Sequence, residues 1–120
     1  MTFDATNLVF NESGLIPVIT QDNVTKDVLM MAWMNSEAVL RTLSSGQATY
    51  WSRSRQAFWI KGETSGHTQK VVDFRFDCDR DCLLMLVEQV GPACHTNRQS
   101  CFYRSFFGGE EIELMDPIKV

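Results

Sequence analysis

The chain has 120 residues, 44% of them hydrophobic, and a net charge of −4, which suits one domain with a real core and leaves no room for several. No run of about 18 apolar residues occurs, and Met1–Asn7 lacks a basic, apolar leader, so the sequence reads as soluble, cytoplasmic and without a membrane partner. Four cysteines in that setting read as ligands or buried thiols ahead of disulfides, and the acidic balance argues against long nucleic acid as a partner.

In chain order, Leu15 to Thr20 and Val28 to Met34 are short runs rich in β-branched or large apolar residues and bounded by turn signals, and they read as strands. A helix follows. Asn35 or Ser36 can cap it, Ala38, Val39, Leu40 and Leu43 make an apolar stripe, and Ser44-Ser45-Gly46 ends it with glycine near C′. Ala48 to Ser52, Ala57 to Lys61, Val71 to Asp77, Leu83 to Val90 and Cys101 to Phe107 read as further strands, and the acidic Glu110–Glu113 as an edge strand or frayed end. The expected architecture is mainly β, a β-rich α+β fold in which a small pseudobarrel of short strands is capped by one helix.

Charge and thiols are unevenly placed. Between Arg41 and Arg75 the only acids are Glu63 and Asp73, against Arg41, Arg53, Arg55, Lys61, Lys70 and Arg75. A locally basic segment in an acidic chain suits a small anionic ligand. Next comes Asp77-Cys78-Asp79-Arg80-Asp81-Cys82, then Gly91-Pro92-Ala93-Cys94-His95 and Ser100-Cys101-Phe102-Tyr103-Arg104. Thiolates favour soft metals and carboxylates hard ones, so the stretch offers two unlike metal sites. On an extended Val71–Asp77, strict alternation puts Asp73, Arg75 and Asp77 on one face and Val72, Phe74, Phe76 and Cys78 on the other.

Rival motifs fit less well. An EF-hand loop would need glycine where Cys82 stands and a polar segment where Leu83–Val87 is apolar. A zinc deaminase would need a Cys-x-x-Cys after Pro92 and a His-x-Glu before it. A hairpin can bring Cys94 and Cys101 to one zinc with Cys78 as a third ligand, leaving a fourth position open. Cys82 would reach that ion only if the chain turned at Asp79–Asp81, which would close the site with four thiolates.

Together, Trp51-Ser52-Arg53-Ser54-Arg55, Trp59-Ile60-Lys61-Gly62-Glu63-Thr64-Ser65-Gly66-His67, the Asp-Cys-Asp-Arg-Asp run and the segment from Gly91 to Arg104 closely resemble the phosphoribosyl-AMP cyclohydrolases of histidine biosynthesis. The resemblance implies zinc (Zn2+) on Cys78, Cys94 and Cys101 and magnesium (Mg2+) on Asp77, Asp79 and Asp81. It also implies an obligate homodimer, with Cys78 from one subunit and the Cys94/Cys101 pair from the other. Asn97 stands where the family usually has glycine, a change that a left-handed backbone position tolerates. Cys82 is not a family ligand.

The implied reaction opens the adenine ring of phosphoribosyl-AMP by hydrolysis of its N1–C6 bond, with water activated by zinc. His95, beside a zinc ligand, is the first candidate to move the proton, with His67 and Glu63 behind it. Arg53, Arg55 and Lys61 would hold the two phosphates, helped by Ser52, Ser54, Thr64 and Ser65, with Arg98 and Arg104 as further candidates. Trp51 and Trp59 would stack on the purine or belong to the core. The alternative is a zinc-stabilised β-rich module that binds RNA or nucleotides without catalysis.

Overall fold

The computed structural model describes residues 4–119. Chain reversal after the first strand is built into Asp22, whose Oδ1 accepts the N–H groups of Val24 (2.8 Å) and Thr25 (3.0 Å), while Lys26 takes the left-handed backbone (φ 67°) that completes the turn. Strands β1 (Ile16–Asp22) and β2 (Val28–Met34) therefore pair antiparallel. Strands β5 (Gln69–Phe76) and β6 (Leu83–Gln89) form a second antiparallel pair. β6 lies parallel to β1, which joins the two pairs into one four-stranded sheet of order β2-β1-β6-β5.

One face of that sheet carries the core. Ile16, Val18 and Thr20 on β1, Met30, Ala32 and Met34 on β2, and Leu83, Met85 and Val87 on β6 are buried. Helix α1 (Ser36–Ser45) supplies Ala38 and Val39 to the same cluster, the connection after it Ala48, and the hairpin β3 (Thr49–Ser52)–β4 (Ala57–Ile60) Tyr50. Burying an aliphatic side chain of this size stabilises by about 1.5–3 kcal/mol, so this shared layer binds the helix and the hairpin to the sheet. The hairpin β7 (Arg104–Ser105)–β8 (Ile112–Glu113) pairs only with itself. The chain is thus mainly β with one α-helix, as expected, and among the described residues no helix is long and apolar enough to cross a membrane.

Three local expectations are corrected. Val72 is a bulge: the register steps from Val71↔Val87 to Asp73↔Leu86, so Val71 and Phe74 face the core while Val72 is 47% exposed. On α1 the buried face is Ala38, Val39 and Thr42, and Leu40 and Leu43 point outward. Thr42 belongs inside because its hydroxyl donates to the Thr49 carbonyl (3.1 Å) and accepts the Thr49 N–H (3.0 Å), fixing the helix to β3. Finally, Cys101–Phe107 is not one strand. The Cys101 N–H goes to the Leu29 carbonyl (2.7 Å) and the Phe102 N–H to Ser100 Oγ (2.9 Å), so this backbone tethers the loop to β2 and only Arg104–Ser105 enters a ladder.

Candidate functional site

The loop after β6 is folded by its own backbone. Gly91 turns it (φ 68°), Cys94 donates to the Arg98 carbonyl (3.1 Å), and Asn97 donates back to the Cys94 carbonyl (3.0 Å) with a left-handed backbone (φ 65°), the conformation that makes asparagine acceptable there. Ser100 Oγ bonds the Val28 carbonyl (2.7 Å) and anchors the far end on β2. Cys94 and Cys101 are thereby brought close enough for each to shift the other's affinity for a proton.

The two sulfurs are not equivalent. Burial pushes the Cys94 thiol up, but the Thr96 hydroxyl (3.1 Å), the Thr96 backbone, Cys101 and Arg98 outweigh it and hold Cys94 below the ordinary thiol range. Desolvation of the inner side of Cys101, then the charge and hydrogen bond of Cys94, push Cys101 up to about 11, although part of that residue is solvent-exposed. Lys61, half-buried at the end of β4, feels both thiols; its own burial lowers its affinity for a proton. A close thiol pair beside a cation is a soft donor set, and it fits zinc.

Cys78 lies elsewhere. It sits in the turn between β5 and β6, and Asp77 builds that turn: its N–H donates to the Cys82 carbonyl (3.0 Å), and its Oδ1 accepts from Asp81 N (3.1 Å) and Cys82 N (3.3 Å). β5 is one edge of the sheet and β2, which holds Cys101, is the other. Three strand spacings, roughly 14 Å, separate those edges. Among the described residues no three His, Cys, Asp or Glu side chains gather closely enough to hold a metal. The chain does turn at Asp79–Asp81, yet Cys82 closes no four-thiolate site. Burial and the charges of Asp77 and Asp81 raise its pKa, and its Sγ approaches the Leu83 carbonyl at 3.8 Å.

Asp77, Asp79 and Asp81 crowd one another. Desolvation and then the Asp77 and Asp79 charges raise the Asp81 carboxyl above its ordinary value. Carboxylate oxygens are the donor type a hard divalent cation takes, but in this chain alone the three acids are not gathered into a site, and Asp77 Oδ1 is already committed to the turn.

The predicted ligand-binding residues divide. Trp51, Ser52, Arg53, Ser54 and Trp59 do line one cavity of about 520 Å³, and Ala32 and Trp33 complete it. The Arg53 guanidinium lies over the Trp33 ring (4.9 Å), and Trp33 also borders the smaller cavity that contains Asp81. Trp33 thus borders both the cavity that Arg53 lines and the one that Asp81 lines. The sequence reading missed it, although its alternation with buried Ala32 and Met34 on β2 was a usable signal. Trp59 packs partly on the core against Tyr50 (4.7 Å), and Trp51 meets Phe58 edge-on (4.9 Å). Arg55 is exposed beside Ser52, and Lys61 sides with the thiols.

Arg98 and Arg104 flank the Tyr103 ring (4.1 and 4.7 Å) and pair with Glu113 (3.0 and 3.9 Å), so both are engaged in fastening the C-terminal hairpin. Glu63, Thr64 and Ser65 lie exposed in the loop after β4, and Ser65 Oγ accepts the His67 N–H (3.2 Å). His95 is exposed directly after Cys94. His67 is half-buried against the Gly91 turn, where a Cβ on Gly91 would come within 2.7 Å of its ring.

Comparison with known proteins places the chain in a family. The family model described as phosphoribosyl-AMP cyclohydrolase matches residues 30–103. Proteins named phosphoribosyl-AMP cyclohydrolase from Cereibacter sphaeroides (64% identical over 118 residues) and Ruegeria pomeroyi (65% over 118) each align across 98% of this chain and 99% of the relative. One from Jannaschia sp. is 65% identical over 115 residues, covering 96% of this chain and 97% of its own. The chain belongs to the phosphoribosyl-AMP cyclohydrolase family.

Proposed function

We propose that this enzyme opens the adenine ring of 1-(5-phosphoribosyl)-AMP by adding water at C6 and breaking the N1–C6 bond, through a site shared between two copies of the chain. Cys94 and Cys101 of one copy and Cys78 of the other would hold zinc; Asp77, Asp79 and Asp81 would hold magnesium. Bound there, zinc activates water as a Lewis acid, and magnesium neutralises phosphate charge. The observation that carries this reading is the split of the thiols: two gathered in the loop after β6, the third held in a turn at the opposite edge of the sheet.

The chain's own groups account for the remaining steps. Trp33, Trp51 and Trp59 offer aromatic faces to the purine, and Arg53, poised over Trp33, offers a fork of donors to a phosphate at the rim. Lys61, a cation drawn in beside the thiols, favours the anionic form of the pair. N1 must leave with a proton. His67 and His95, flanking the Cys94 loop, are the two imidazoles able to deliver it, and His67 is the better held.

The test is direct. Incubating the zinc- and magnesium-loaded protein with phosphoribosyl-AMP gives the ultraviolet change of ring opening, and Cys94→Ser abolishes it while the fold persists. A wild-type protein that binds both metals and leaves the substrate intact would overturn the proposal.

A further inference from the structure

Behind the thiol loop runs a buried hydrogen-bond chain with a single direction. Tyr50 donates its one hydroxyl proton to Gln69 Oε1, so the 2.8 Å contact between Thr20 and Tyr50 must be donated by Thr20. Gln69 Nε2 donates to Gln89 Oε1 (2.8 Å) and to the Met30 sulfur (3.4 Å). Gln89 Nε2 then donates outward, to the carbonyls of His67 (3.3 Å) and Val90 (3.1 Å). Thr20, Tyr50 and Gln69 are fully buried, so each link must be satisfied and none can reverse alone.

The end of this chain meets a tightly packed segment. The His67 backbone lies flush on Gly62, where a Cβ would come within 2.4 Å of the His67 carbonyl carbon, and the His67 ring lies flush on Gly91. Gly91 opens the turn that leads to Cys94. His67 is therefore held from three sides: backbone on Gly62, ring on Gly91, carbonyl on Gln89.

We propose that Gln89, oriented by the Thr20–Tyr50–Gln69 chain, is a positioning residue that sets the His67 imidazole at the mouth of the Cys94 loop. The proposal rests on the reading above that His67 serves the reaction. Gln89 has the right chemistry because it accepts from Gln69 and donates to His67 at once. Glutamate has the same shape but no donor, and would turn an oxygen toward two carbonyl oxygens.

Gln89→Glu is the test, read by kinetics and by the Gly91 proton resonances, which the His67 ring shifts by its ring current. The expected result is a fall in kcat of about tenfold, the size of one lost hydrogen bond, with KM within about twofold and the Gly91 shift lost. If Gln89→Glu fails to fold, the neutral Gln89→Met carries the same comparison, with the same expectation. Wild-type kcat in the folded variant, or an unchanged Gly91 shift, would overturn the proposal. His67→Asn separates the two readings: full activity there removes His67 from the reaction, whereas an inactive His67→Asn beside a fully active Gln89→Glu removes only the positioning role.

Discussion

Asp77 carries two loads that Asp79 does not. Its Oδ1 accepts two backbone N–H groups of the β5–β6 turn, whereas the one hydrogen bond found on Asp79 comes from the Cys78 thiol at 3.4 Å. Asp77→Ala should therefore cost about 0.5–1.5 kcal/mol of stability by exchanging two exposed turn hydrogen bonds for water, with Asp79→Ala near zero, as denaturant titration would read. Equal costs would contradict the turn role. Asp79→Asn should weaken magnesium dependence and leave zinc content unchanged, and a magnesium titration with metal analysis checks both. The gathering of three acids in one turn was legible in the sequence, since they stand at alternate positions of one short segment. The uses of Asp77 in its own turn and of Arg98 and Arg104 around Tyr103 were not, because such contacts depend on where the chain reverses.

Among the elements, α1 was predicted almost to the residue, since Asn35 caps Ala38 N–H (2.8 Å) and Gly46 ends it in the left-handed region (φ 76°). Asn35→Ala should lower stability by about 1 kcal/mol, a fall in melting temperature of about 3–6 °C. The errors lay where periodicity is interrupted. A one-residue bulge at Val72 resets which side chains face the core, and Thr42 is buried by a reciprocal bond to Thr49 that no apolar pattern announces. The loop after β4 is similarly constrained. At Gly62 (φ 81°) a methyl would strike the His67 and Thr68 backbone at 2.4 Å, so Gly62→Ala should destabilise by about 2–4 kcal/mol and lower kcat together. Thermal unfolding close to that of the wild type would refute the close packing.

At the scale of the molecule, the three thiols that the proposal gives to zinc are not gathered within one copy among the described residues. Val28, Met31 and Val72 on the sheet are 43%, 45% and 47% exposed, apolar surface that the proposed pairing of two copies could cover. The topology that separates Cys78 from Cys94 could not be read from their spacing. It follows from β6 lying parallel to β1, a long-range pairing that only the folded chain reveals. The decisive measurement is complementation. Cys78→Ser and Cys94→Ser proteins, each inactive alone, are unfolded together, refolded in equal amounts and assayed. If zinc is shared between two copies, half of the dimers are mixed and each has one intact site, so about a quarter of wild-type activity returns. If all three thiols serve zinc within one chain, every site in the mixture lacks a ligand, and the activity stays at zero.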